Sequence, residues 1–134
     1  MAYKLSYFDL GGRAEGIRML LAHSKADWED IRVSGESFTA LKESGKCPGG
    51  QVPILELPNS DKVLSQSTVI LRYLGIVHGY YSTTDPMAAY AADLAIETVN
   101  DCFNKDFVMK FFAKEAASAE VVKEISDKQE KLLN

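Results

Sequence analysis

Two short stretches of this chain carry groups able to hold a small peptide-like ligand. In Gly50-Gln51-Val52-Pro53-Ile54-Leu55-Glu56-Leu57, Pro53 can open a strand but cannot donate to its ladder. The proline also pushes Val52 into an extended conformation. Val52 then has an N–H and a C=O free to pair with an extended peptide. Further on, Ser65-Gln66-Ser67 stands before the apolar run Val69-Ile70-Leu71 and reads as a helix start. Such a terminus favours a carboxylate, because its unpaired N–H groups and dipole converge on an anion. One stretch would grip a peptide backbone, the other its acidic end.

The remaining reactive side chains say less by themselves. Tyr7 lies in an apolar, strand-like run, where a tyrosine usually packs, and Arg13 at a helix start reads as solvated. Cys47 occurs in Lys46-Cys47-Pro48-Gly49. A thioredoxin-type redox enzyme needs its cysteine pair just after the first strand, where this chain has Asp9-Leu10-Gly11-Gly12. Cys47 and Cys102 fit no metal or disulfide framework. His23 and His78 lack partners at ligand spacing and are read as structural.

These groups need a scaffold, and the bulk composition permits one. The 134 residues are 46% hydrophobic and 25% charged, an ordinary globular balance with enough chain for one core or two small ones. A net charge of −4 gives no electrostatic support to nucleic-acid or anionic-membrane binding. No apolar run approaches the roughly 18 residues needed to span a bilayer, and no signal-peptide pattern is evident. A reducing, cytoplasmic setting is expected.

Residues 4–8 alternate and read as a strand, followed by the turn Asp9-Leu10-Gly11-Gly12. From Arg13, Ala14, Ile17, Leu20 and Leu21 recur at helical spacing to about Ser24, although Gly16 weakens the helix by about 1 kcal/mol. Residues 28–33 read as a second strand, parallel to the first. A short helical turn is expected over 38–42, then a loop through 44–50. Residues 53–57 and 62–64 make an antiparallel hairpin across Pro58-Asn59-Ser60-Asp61. A helix from about Gln66 should bury Val69, Ile70, Tyr73 and Leu74.

After a linker over 78–84, Asp85 is a good N-cap and Pro86 a favoured first helical residue. Ala92, Ile96, Val99, Phe103 and Phe107 then mark one helical face, with Asp93, Glu97, Asp101 and Lys105 opposite. Phe103, Phe107 and Phe111 read as core. A last helix runs from Ser118 through Val122, Ile125 and Leu132. The expected architecture is therefore α/β plus all-α, with an α/β domain over 1–80 and a helical one over 81–134.

In this order and spacing the motifs resemble the glutathione transferase family, most closely its sigma class. That class includes glutathione-dependent prostaglandin D synthase and the lens S-crystallins. The residues carrying the resemblance are Tyr3-Lys4-Leu5-Ser6-Tyr7-Phe8, Gly12-Arg13-Ala14-Glu15 with Ile17-Arg18, and Gln51-Val52-Pro53-Ile54-Leu55-Glu56. It continues through Gln66-Ser67, Arg72-Tyr73-Leu74 and Glu97-Thr98-Val99-Asn100-Asp101, and fades after about Phe112. The resemblance implies a thioredoxin-like N-terminal domain that holds glutathione, the co-substrate, and a helical C-terminal domain that helps hold a small electrophile.

The same resemblance implies the site residues. Tyr7 matches the family's catalytic tyrosine, and Arg13 the arginine beyond it, near the thiol. Phe38 falls where the sigma class usually has a tryptophan beside the glycine end of glutathione, and Lys42 matches a lysine just after it. Gln51 stands where a lysine or glutamine is common, Val52 pairs with the cysteinyl backbone, and Pro53 matches a cis-proline. Gln66 and Ser67 match the pair holding the γ-glutamyl end. Asp101 matches an acidic residue that reaches glutathione in the partner subunit, which implies a homodimer. The implied reaction is attack by a glutathione thiolate stabilised by Tyr7 and Arg13, with detoxification of electrophiles or isomerisation of a lipid peroxide as its uses.

The chain departs from the family in three places. The loop between Lys42 and Val52 is longer than usual, which bears on Lys42, Lys46 and Gln51. Glu97, Asn100 and Asp101 replace an aspartate cluster found in prostaglandin-synthase-like members, so no metal is expected. The chain stops at Asn134, where members continue through several helices; it is read as a fragment or an unusually short member with a truncated helical domain. A non-catalytic glutathione-binding or crystallin-like structural protein is the main alternative, and a protein-interaction domain of translation-factor type is another.

Overall fold

The structure is a computed structural model that describes residues 1–102. The helix read from Ser118, together with Phe103, Lys105, Phe107 and Phe111, lies outside the described residues. The chain divides into two compact units, Met1–Ala89 and Tyr90–Asn134.

Strand β1 spans Tyr3–Phe8, and a 3₁₀ turn at Gly12–Ala14 leads into helix α1, Glu15–His23. Strand β2 (Trp28–Val33) and helix α2 (Gly35–Glu43) follow. Strands β3 (Ile54–Glu56) and β4 (Val63–Ser65) form the hairpin, and helix α3 covers Ser67–Val77. The strands make one mixed sheet in the order β2-β1-β3-β4. Strand β1 runs parallel to β2, with Tyr7 opposite Arg32, and antiparallel to β3, with Leu5 opposite Leu55. This is the thioredoxin-like arrangement that the β-α-β, β-β-α order of the sequence requires.

Alternation along β1 sends Tyr3, Leu5 and Tyr7 to one face. There they join Ala14, Ile17 and Leu21 on the α1 side and Ile70 and Leu74 from α3 in a single core. Leu5, Ile17, Leu21, Ile70 and Leu74 are fully buried, each contributing about 1.5–3 kcal/mol. Gly16, costly for α1 by propensity, faces Leu71 of α3, which a Cβ there would meet at 3.4 Å, ordinary van der Waals contact. The two helices meet where a side chain is missing. The histidines pack on tyrosines, His78 edge-on to Tyr3 at 6.1 Å and His23 against Tyr80 at 5.2 Å.

Two local expectations are corrected. Helix α2 is a full nine-residue element rather than a turn over 38–42. Ser34 caps it, its hydroxyl accepting from the Ser37 amide while the Ser37 hydroxyl accepts from the Ser34 amide. Serine at the third position can close such a box as glutamate does, which extends the helix backward to Gly35. In α3, Ile70 and Leu74 are buried as expected and Tyr73 is half-buried, but Val69 is 51% exposed. The inward stripe runs through positions four apart, and Val69 sits a hundred degrees off it.

Helix α4, Pro86–Cys102, starts where the sequence places it. The Asp85 carboxylate accepts from the Met87 and Ala88 amides at 2.9 and 3.2 Å, the expected N-cap. Along α4, Ala92 and Ile96 are half-buried, whereas Val99 is exposed.

Burial, reinforced by the nearby Tyr73, raises the Tyr3 phenol above its ordinary value of about 10. The unfolded chain therefore ionises first. The associated stability is complete below pH about 10 and is lost as pH rises through the folded-state value. Tyr3→Phe should flatten part of this alkaline decline, measured as urea midpoints between pH 8 and pH 11, roughly the range that brackets a tyrosine titration.

Candidate functional site

Strand β1 ends at Phe8, and the chain must then turn back to begin α1 on the helical face of the sheet. Gly12 makes that reversal with φ at +49°. The next amide, that of Arg13, donates to the Tyr7 hydroxyl oxygen at 3.2 Å. A hydroxyl that accepts this bond keeps its own proton to donate elsewhere. The space around the hydroxyl is tight, since a Cβ on Gly12 would stand 2.7 Å from Tyr7 Oη and from Leu10 Cδ1.

A cleft of about 630 Å³ opens beside this hydroxyl, within the range of small-ligand sites. Tyr7, Phe8 and Arg13 form one part of its wall, and Gly50 through Pro53 another. Phe38 and the segment from Ser65 to Ser67 complete it. The Phe38 ring comes from α2 and meets Phe8 edge-on at 5.1 Å. Lys42, one turn further along α2, places its ammonium 4.6 Å from the Phe38 ring centroid, a cation–π contact.

The loop before β3 is shaped by Gly49 and Gly50, both at positive φ. Beyond them Gln51 is extended, and the Val52–Pro53 peptide bond is cis. Cys47 is a buried free thiol whose Sγ–H donates to the Gln51 carbonyl oxygen at 3.2 Å. It ties the loop down where sequence reading had found no role for it.

At the other wall, α3 starts in an unexpected way. Ser65-Gln66-Ser67 reads as a capping segment, but Gln66, at the cap position, makes no side-chain capping bond. It instead adopts φ +71° and ψ +111°. A non-glycine residue held there costs about 1–3 kcal/mol and is typical of ligand clamps. Gln66 and Ser67 accordingly face a cleft rather than cap a helix.

Residues 3–75 match the family described as Glutathione S-transferase, N-terminal domain. The chain belongs to the glutathione S-transferase family. It is 40% identical over 106 residues to Glutathione S-transferase 1 of Ascaris suum, covering 79% of this chain and 47% of that protein. It is 38% identical over 99 residues to Hematopoietic prostaglandin D synthase of Gallus gallus, covering 74% of this chain and 47% of that one. Its fold matches the sigma class glutathione S-transferase of Fasciola hepatica with a TM-score of 0.80 at 26% identity, over 98% of this chain and 63% of that one. The chain thus spans about half the length of the curated relatives it matches.

Against the sequence expectations, the fold gathers Tyr7, Arg13, Phe38, Gln51, Val52, Pro53, Gln66 and Ser67 at one cleft. Lys42 does not line the cleft, although its ammonium lies over the Phe38 ring that does. Asp101 is an exposed residue of the second unit. Asn100 donates to the Glu97 carboxylate at 3.4 Å. Among the described residues no group of three or more histidine, cysteine, aspartate or glutamate side chains could hold a metal ion.

Phe8 lines the cleft and Gly12 abuts the Tyr7 hydroxyl, positions for which the resemblance implied no individual role. Pairing of glycines right after a strand tyrosine was the available signal for Gly12. In urea denaturation, Gly12→Ala should lower the unfolding free energy by more than about 1–2 kcal/mol, the cost of a left-handed alanine, because its Cβ would also stand 2.7 Å from Tyr7 Oη and Leu10 Cδ1. Gly11→Ala should be close to neutral, because Gly11 has φ −63° and its Cβ would find its nearest neighbour at 3.5 Å.

Proposed function

We propose that this protein binds glutathione in the cleft and activates its thiol as a thiolate for attack on a small electrophilic or lipid-derived substrate. The observation that carries this reading is the Tyr7 hydroxyl, held by the Arg13 amide with its proton free to donate into the cleft. Tyr7 and Arg13 are the activating residues in this reading. Val52 pairs with the cysteinyl backbone beside Pro53, and Gln66 with Ser67 receives the γ-glutamyl end. Phe38, Gln51 and Lys42 flank the glycine end.

A free thiol titrates near 8.5, so only a few per cent is thiolate at pH 7. Lowering that value by about two units requires about 2.7 kcal/mol. A hydrogen bond to a charged group supplies roughly 1.5–3 kcal/mol, so Tyr7 can account for most of the effect and the Arg13 guanidinium for the rest. The thiol proton leaves to solvent, and no metal takes part.

A sigma-class affinity is supported by the likeness to the prostaglandin D synthase of Gallus gallus and the sigma class enzyme of Fasciola hepatica. A homodimer is supported by Val69, Ile76 and Val77 of α3, three apolar side chains left exposed on one helix. In that dimer Asp101 would serve the glutathione of the partner subunit. A reducing, cytoplasmic setting suits a protein whose buried Cys47 is a free thiol.

The test is retention on immobilised glutathione followed by a thiol-conjugation assay on the same protein. Tyr7→Phe should lower turnover at pH 7 roughly ten- to a hundredfold, the equivalent of one charge-assisted bond. Glutathione affinity should change far less. Equal loss of both, or of neither, removes Tyr7 from the proposed role. Ser67→Ala should show the opposite split, with weaker retention and a smaller effect on saturated turnover. Binding without turnover in the unaltered protein would mark a glutathione-binding module instead.

A further inference from the structure

Arg18 is only 6% exposed, yet it points a charged fork at the turn that follows β1. Its Nη1 donates to the carbonyl oxygens of Leu10 at 2.8 Å and Gly11 at 3.3 Å, and its Nη2 to that of Phe8 at 3.5 Å. The same guanidinium pairs with Asp30 of β2 at 3.2 Å and with Glu15 at 3.1 Å. Its carbon lies 5.8 Å from the centroid of the Tyr7 ring. The second Asp30 oxygen is taken by Arg32, which also reaches Asp9 at 3.3 Å. The turn is thus held from inside by Arg18 and from outside through Asp30 and Arg32.

We propose that Arg18 is a positioning residue for Tyr7. By binding the carbonyls of the β1–α1 turn, it fixes the Gly12–Arg13 segment so that the Arg13 amide meets the Tyr7 hydroxyl. A buried guanidinium with these partners is satisfied by carbonyls that would otherwise need water or a helix. The planar fork is what the geometry requires, since three carbonyls and two carboxylates are contacted from one rigid group. Packing alone does not explain it, because an apolar side chain of similar length could fill the same space without holding the turn.

This inference rests on the reading of Tyr7 as the thiol-activating group, and its test has one arm that needs no substrate. In the full chain, exchange of the Arg13 amide with deuterium, followed by NMR, reports its bond to Tyr7 directly. Arg18→Met should make that amide exchange faster and lower kcat for thiol conjugation about ten- to a hundredfold, as a small misplacement does. KM for glutathione should move far less. In a Tyr7→Phe background the same substitution should have no further effect on kcat.

Faster exchange in a protein that shows no turnover in its unaltered form would uphold the positioning and reject the catalytic reading. A folded Arg18→Met protein with unaltered exchange and unaltered kcat overturns the proposal while leaving the catalytic reading intact. Full additivity of Arg18→Met with Tyr7→Phe also overturns it. Should Arg18→Met fail to fold, Asp30→Asn loosens the same fork at lower cost. It should give a smaller change of the same kind, and unaltered exchange in it counts against the proposal.

Discussion

Strand β1 is hydrogen-bonded along both edges, parallel to β2 and antiparallel to β3, and everything else hangs on that double pairing. A central strand has no freedom of register once one face is buried. Tyr3, Leu5 and Tyr7 must face α1 and α3, while Ser6 and Phe8 face the other way. A slip of one residue would bury Phe8 and remove the Tyr7 hydroxyl from the turn. The core therefore sets the position of Tyr7, the side chain that carries most of the proposed chemistry.

The cleft draws on connections as much as on elements. Its walls are the end of β1 with Arg13, Phe38 of α2, the loop before β3 and the junction between β4 and α3. Four of the eight described residues at positive φ, Gly12, Gly49, Gly50 and Gln66, lie in or beside these walls. Three of them are glycines, for which a left-handed conformation carries little penalty. Gln66 is not, and only a rigid surround can keep it there. Fully buried Ile54 on one side and Ile70 on the other hold that junction between two fixed points. Sheet pairing of Ile54 with Ser65 brings the two ligand-facing segments side by side.

Electrostatics complete the frame. The Arg18, Asp30, Arg32 and Asp9 chain links α1, β2 and the β1–α1 turn. Its inner member is buried and multiply bonded, so removing one partner would leave charge without compensation. The outer pair is half-exposed or more and contributes little by itself. On α2, the Lys42 ammonium over the Phe38 ring shows the same economy of position. It contacts an aromatic wall of the cleft without itself lining it.

Signals that act within a few residues were legible in the sequence. Alternation defined β1; Pro53 and the Pro58-Asn59-Ser60-Asp61 turn defined the hairpin; and Asp85-Pro86 defined the start of α4. Val52-Pro53 and Ser65-Gln66-Ser67 stood out as an exposed backbone edge and a helix start for the same local reasons. The full length of α2 was missed because serine replaced the usual acidic residue of its capping box. The burial of Val69 was misjudged because a contiguous apolar run does not say which of its members faces inward. Three features came only from tertiary structure. Two were the meeting of Phe8 with Phe38 and the bond from the Arg13 amide to Tyr7. A third was the grip of Arg18 on three carbonyls. Each joins groups whose separation depends on strand register and on how a helix settles against a sheet. Those distances are set by the packing of the whole domain, and no local stretch of residues contains them.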